Sequence, residues 1–461
     1  LSETVFIPPA PKLRGEAIIS RPFPLGHLLY FQTMAKNPLE TWGPNAFRTP
    51  IIPIEFLGRR YVVINDPAAI RHCFVANAAN FRLNFLRLKM LKPALRDGLI
   101  VAEGETWKTA RRALTPIFTP RHVAGFAPAM QRASETARDR LIARAGSRIS
   151  LRDEMLLVAL DVLIACLFPE DDAFDRKAFS RNVSRLLELG GTPHPFDLMR
   201  APDALPRVGR MGLGAAVEAL RAQVGELLQR YRMRGAGEAA PATFLSLLAA
   251  ARTEDGAPLS DDTIIDQLLT FLTAGHETTA RALAWALYAL SEAPDARGRV
   301  EAELAAHDWS ADPATWEDRL PYLQATIKET LRLYPPAPHL AREAIGPDRI
   351  GDIGIDAGTE VHMSPWLLHR QETLWRQPTA FMPERFYGAA GAEIDRFAFL
   401  PFGVGPRVCI GASFSMLEMS IVLAILLSAL RFRHVGEQPP VPVLRITLQP
   451  STPMMALVER R

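Results

Sequence analysis

One cysteine stands where a metal ligand would be offered. The chain reads Pro401-Phe402-Gly403-Val404-Gly405-Pro406-Arg407-Val408-Cys409-Ile410-Gly411, a stiff loop punctuated by glycine and proline just before an apolar helical stretch. A loop of this build can present a thiolate to haem iron, and so strong an axial donor favours cleavage of an O–O bond over reversible carriage of oxygen. The alternative is a structural cysteine on an ordinary turn, which is what most lone cysteines are. Upstream, Ala274-Gly275-His276-Glu277-Thr278-Thr279 sets an acid beside an alcohol, a pairing suited to moving protons; its bland reading is a kinked helix with a surface glutamate. His276 has no second histidine at ligand spacing and no HExxH pattern, so it is assigned to packing or to the surface, not to a metal. Lys328-Glu329-Thr330-Leu331-Arg332 places opposite charges one helical turn apart.

The cysteine loop satisfies Phe-x-x-Gly-x-Arg-x-Cys-x-Gly at every fixed position, and on these residues the chain resembles the cytochrome P450 family. The resemblance implies haem b (iron protoporphyrin IX) with the Cys409 thiolate as axial metal ligand. Phe402 would pack near the sulfur, Gly405 would permit the tight hairpin, Arg407 would reach a haem propionate, and Gly411 would let the next helix approach the porphyrin. Glycine suits close backbone approach, and arginine suits a carboxylate through its planar fork. The Ala274 to Thr279 motif is similar to the family's oxygen-activating helix. There Ala274 would lie against the cofactor, and the helix would open locally, with the Thr278 hydroxyl engaging the freed backbone. Glu277 would relay protons from solvent toward that groove.

Trp107-Lys108-Thr109-Ala110-Arg111 carries two donors on one helical face. By the resemblance Trp107 and Arg111 bind a propionate, and Arg342 stands where relatives place another such arginine. Glu329 and Arg332, with Arg385 of Pro383-Glu384-Arg385-Phe386, become a structural scaffold behind the cysteine loop, because buried opposite charges persist only when paired. Glu329 and Arg332 alone would also fit an exposed helix ion pair. The resemblance further assigns the substrate pocket to Phe85, Leu86, Leu91, Leu272, Thr273, Ala337, Pro338, Leu340 and Thr452, and to the connection 190–206. Taken singly, each apolar member fits a packed core equally well. A lining with so few polar groups implies a hydrophobic small molecule (fatty acid, terpenoid or aromatic), bound through surface burial. The segments around Thr278 and Pro335 look most similar to the branch holding fatty-acid hydroxylases and microsomal drug-oxidising enzymes.

The elements that must hold these groups are mostly helices. Periodicity predicts helices over 122–145, 155–167, 215–234, 261–291 and 323–333, strands over 59–65 and 361–363, and loops over 190–206 and 235–241. The expected fold class is mainly α with small β-sheets (α+β), as one haem domain over 1–461, the haem buried between the oxygen-activating helix and the cysteine-loop helix. Of the 461 residues 48% are hydrophobic and 22% charged, the composition of an ordinary globular protein. Lys+Arg 53 against Asp+Glu 50 leaves +3, too small a bias to imply nucleic acid. Cys73, Cys166 and Cys409 form no disulfide framework, which points to a reducing compartment. The segment 1–32 lacks a spanning run, and 421–430 is too short for one. A soluble, cytoplasmic, bacterial-style enzyme without a membrane span is expected.

The resemblance implies a monooxygenase that inserts one atom of O2 into a C–H bond. Because no flavin, nicotinamide or iron–sulfur motif is present, its electrons are expected from ferredoxin and ferredoxin reductase or another external donor. A peroxygenase or isomerase, and a non-enzymatic haem sensor or carrier, are the rival readings.

Overall fold

The computed structural model describes residues 5–21, 25–56, 58–168, 175–190, 195–198, 200, 202, 212–234, 243–253 and 256–461. Its spine is the helix Asp261–Glu292, 32 residues long. Ser260 starts it by accepting a hydrogen bond from the Thr263 N–H, the acidic pair Asp261 and Asp262 complements its N-terminal dipole, and Pro294 opens the next helix. On one side it packs against Leu151–Leu167. That helix begins at Leu151 rather than near 155, because Ser150 caps it through the Asp153 N–H. The buried pair Arg221 and Asp266, at 2.5 Å, joins the spine to the helix Leu213–Arg234.

The pattern expected over 122–145 is two helices, Pro120–Gly125 and Ala127–Ile142. Pro128, in the first turn of the second, interrupts the backbone hydrogen bonding that would join them. Beneath the cysteine loop runs Ala412–Ala429, buried from Leu417 to Leu427. It is apolar and long enough to cross a membrane by composition, yet most of its surface is the protein's own core.

A five-stranded sheet lies apart from this helical core and has its own apolar cluster around Ile64, Ile70, Phe74 and Val361. Its order is Ile51–Phe56, Arg59–Ile64, Glu360–Met363, Leu340–Ala344, Phe81–Leu83. Pairing is antiparallel except between Arg59–Ile64 and Glu360–Met363. The register sets Leu83 opposite Arg342, which brings the start of the helix Phe85–Leu95 beside that arginine. The connection 190–206 lies mostly outside the described residues, as does all of 235–241.

Candidate active site

The cysteine loop is a strained hairpin. Gly403 and Gly405 adopt φ of 72° and 78°, a region that favours glycine. A Cβ on Gly405 would stand 1.8 Å from the Phe74 carbonyl oxygen, so the loop can lie against the sheet's helical connection only without one. Cys409 closes the hairpin by donating its N–H to the Phe402 carbonyl at 2.9 Å. The Cys409 side chain is open to solvent, while burial pushes its thiol pKa up, opposed by the Gly411 N–H and the Arg111 charge. Together these describe a recess, with the sulfur deep in the fold and its own face uncovered. Gly411 has an ordinary φ of −88°, and a Cβ there would meet nothing nearer than Phe118 at 3.8 Å. No protein atom demands a glycine, as expected if the space above it belongs to a bound group.

The acid and alcohol face different ways. The spine helix runs unbroken through the motif, so the expected opening is absent; the Thr278 hydroxyl instead donates to the Ala274 carbonyl at 2.6 Å within the intact turn. Thr273, Ala274 and Thr278 keep accessible surface, whereas Leu272, His276 and Glu277 are buried. Glu277 does not reach solvent. Its Oε1 accepts from Arg281 at 2.8 Å and from Gln449 at 2.9 Å. Leu272 is fully buried in the helical core, which removes it from the pocket lining. His276 is a packing residue, with Nε2 2.9 Å from the Leu156 carbonyl oxygen; burial holds its pKa below the ordinary value.

Around the recess the arginines fall into two groups. Arg111 donates to the Val408 carbonyl at 3.1 Å, bracing the loop from the helix Gly104–Leu114. Arg407 lies over the Trp107 ring, 4.5 Å from its centroid, and its Nη1 is buried with no hydrogen-bond partner. Arg342 is buried over the Phe74 ring. Burial and then repulsion from Arg87 lower Arg342 to about 9 and Arg407 to about 10. Glu103 attracts both Arg342 and Arg407, and desolvated cations that outnumber their anion are costly. An open thiol beside guanidinium groups short of negative charge therefore fits haem, with iron for the sulfur and two carboxylates for the cations.

Behind the loop, Glu329, Arg332 and Arg385 assemble as expected. Arg332 Nε and Nη2 each donate to Glu329 at 2.7 Å, Arg385 Nε reaches Glu329 at 3.4 Å, and Arg332 also donates to the carbonyls of His369, Pro378 and Ala380. Glu329 and Arg332 are fully buried.

Of the expected pocket residues, Phe85, Leu86, Leu91, Thr273, Ala337, Leu340 and Thr452 keep partial exposure. Pro338 is buried, its carbonyl taken by Ser364 at 3.0 Å. The segment 97–100, which no motif announced, is fastened to the spine helix. Gln267 accepts from the Leu99 N–H at 3.0 Å and Asp266 from the Asp97 N–H at 3.3 Å. A Cβ on Gly98 would stand 1.9 Å from Thr270 Oγ1. Arg87 and Gln449 were likewise invisible to sequence reasoning, since both are placed by strand pairing.

Comparison with known proteins agrees with this geometry. The cytochrome P450 family model matches residues 22–457. The chain is 30% identical to human cytochrome P450 4F12 over 410 residues, 83% of this chain and 76% of that protein. It is 28% identical to cyclooctatin synthase of Streptomyces melanosporofaciens over 432 residues, 94% of this chain and 91% of that one. The crystal structure of the cytochrome P450 CYP102L1 is similar with a TM-score of 0.77 at 25% identity, covering 90% of this chain and 93% of that one. The haem domain of cytochrome P450DA shares the fold, with a TM-score of 0.80 at 22% identity over 99% of this chain and 98% of that one.

Proposed function

The chain belongs to the cytochrome P450 family, and from that premise we propose that it hydroxylates a fatty acid, terpenoid or aromatic molecule with electrons from a ferredoxin and its reductase. The family's members are haem-thiolate monooxygenases that use O2, a hydrophobic substrate and an external electron donor. When bound, the haem supplies the activation of O2 and the insertion of one oxygen atom into a C–H bond.

The chain's own residues do the rest. Cys409 would give the thiolate that holds the iron, and Phe402 fixes it through the carbonyl that receives its N–H. Arg407, Trp107 and Arg342 would hold the propionates, while Arg111 keeps the loop in register through Val408. Ala274 and Gly411, small and facing open space, leave room for the macrocycle. Thr278 keeps its proton on the Ala274 carbonyl, so its lone pairs are turned out to accept from a water and align it. Glu277 is a carboxylate on the helix flank, paired with Arg281 and steered by Gln449. Both bonds fall on Oε1, which leaves Oε2 as the oxygen for proton relay.

Substrate is bound by Phe85, Leu86, Leu91, Ala337 and Leu340, with Thr273 and Thr452 as the polar exceptions. Affinity in such a lining grows by about 25 cal/mol for each Å² of apolar surface covered. Discrimination among molecules of similar size is correspondingly shallow. The observation that carries the reading is the recessed, open Cys409 thiol beside buried cations that outnumber their one carboxylate, with Arg407 Nη1 left unpartnered.

The carbon monoxide difference spectrum of the reduced protein tests it, with Cys409→Ser as control. A red-shifted Soret band, lost in the control, is expected; an unshifted band in the intact holoprotein would refute the thiolate assignment. Turnover of laurate, a monoterpene and an alkylbenzene with a surrogate ferredoxin and reductase then tests the substrate class.

A further inference from the structure

We infer that Arg87 is a haem-anchoring residue, the propionate-pairing cation that ties the substrate-pocket helix Phe85–Leu95 to the cofactor seat. The inference rests on the haem seat above but adds a residue that no family motif marks. Arg87 sits in the first turn of that helix, four residues beyond Leu83, whose register partner is Arg342. Its Nε is buried without a hydrogen-bond partner, in the same condition as Nη1 of Arg407. Glu103 is the carboxylate that answers this cluster, and its Oε1 is already engaged by the Leu83 N–H at 2.9 Å. Arg342 spends one guanidinium nitrogen on the adjacent Ala341 carbonyl. Arg342 and Arg407 thus share one carboxylate while both are repelled by Arg87, and burial lowers Arg87 itself. An arrangement short of negative charge is stable only when a ligand supplies it. Haem brings two carboxylates to this edge, which accounts for a third arginine where Arg111 has turned aside to brace Val408.

The consequence is coupling. Phe85, Leu86 and Leu91 lie on the same helix as Arg87, so seating the cofactor also fixes the pocket wall.

The test is the rate at which ferric holoenzyme gives up haem to excess apomyoglobin. Arg87→Gln should release haem on the order of tenfold faster, the loss expected for a charge-assisted hydrogen bond, and Arg87→Lys should recover part of the difference. Lys92→Gln, which removes an exposed charge from the same helix, should leave the rate unchanged. A wild-type rate in Arg87→Gln overturns the inference. So does a wild-type rate combined with weakened binding of laurate relative to dodecanol, which would give Arg87 to an anionic substrate. Arg407→Gln in the same assay separates the two levels: if it too holds haem normally, the cofactor seat itself has been misplaced.

Discussion

Two clusters of buried charge adjoin the cysteine loop, and they are finished to different degrees. Around Glu329 the charges and polar groups answer one another within the chain: Arg332 donates to both carboxylate oxygens and to backbone carbonyls, and Met382 N–H and Arg385 fill what Glu329 has left. Around Arg407 the cations converge with one engaged carboxylate and leave donor atoms of Arg87 and Arg407 unpaired. A network complete within the protein belongs to the fold. A network that is incomplete includes the ligand as one of its members.

The sharpest test of that distinction is Arg332→Ala. It strands a fully buried carboxylate and frees several carbonyls, so a loss of about 3–5 kcal/mol is expected, read from urea unfolding. Arg407→Gln should act in the opposite sense on the apoprotein, leaving its melting temperature unchanged or higher, because one of several mutually repelling cations has gone. In the holoprotein it should speed haem loss on the order of tenfold. Equal destabilisation of the apoprotein by both variants would erase the contrast.

Glu277 is the intermediate case. Its two partners come from its own helix and from the strand Leu448–Pro450, while Arg281 keeps Nε and Nη1 unpaired. Thr278→Ala should retain fold and haem but lower product formed per electron consumed by about tenfold, the lower range of general acid–base effects. Gln449→Leu should lower it less and leave the melting temperature nearly unmoved. Unchanged coupling in both would remove the proton-handling role from this face of the spine helix.

What could be read from sequence followed from distance along the chain. The cysteine hairpin, the Glu329 and Arg332 pair and the spine helix are specified within a few turns of contiguous residues, and each stands where its spacing implied. Leu272 failed because neighbours on a helix differ by about 100°, so Thr273 and Ala274 keep accessible surface while Leu272 turns into the core. The helix Phe85–Leu95 carries Pro93 and lacks an amphipathic stripe, and therefore left no periodic trace. Arg87 and Gln449 reach the site only through strand register, Leu83 against Arg342 and Leu448 against Leu444, which no local pattern encodes.

The smallest expected effect lies where the completed cluster meets the loop. His369 Nε2 accepts the Leu400 N–H at 2.9 Å, so its proton must sit on Nδ1, 3.2 Å from the Arg332 carbonyl oxygen. A second proton would set donor against donor beside a guanidinium, and burial with repulsion from Arg332 lowers its pKa to about 3. Its neutral form is what the fold binds. The unfolded chain takes up a proton near pH 6.5, so this contribution is complete above that value and is lost as the pH falls toward about 3. Between pH 6 and 5, below the unfolded histidine value yet above most carboxylates, His369→Gln should flatten the acid slope of unfolding free energy by up to about 1.4 kcal/mol per pH unit. His339, lowered to about 3 by burial and by His362, contributes a slope of the same sign to both proteins and cancels in the comparison. An identical slope in wild type and variant would mean that His369 can be protonated in place, and that the hydrogen bond from Leu400 does not hold the loop as tightly as the Arg332 cluster requires.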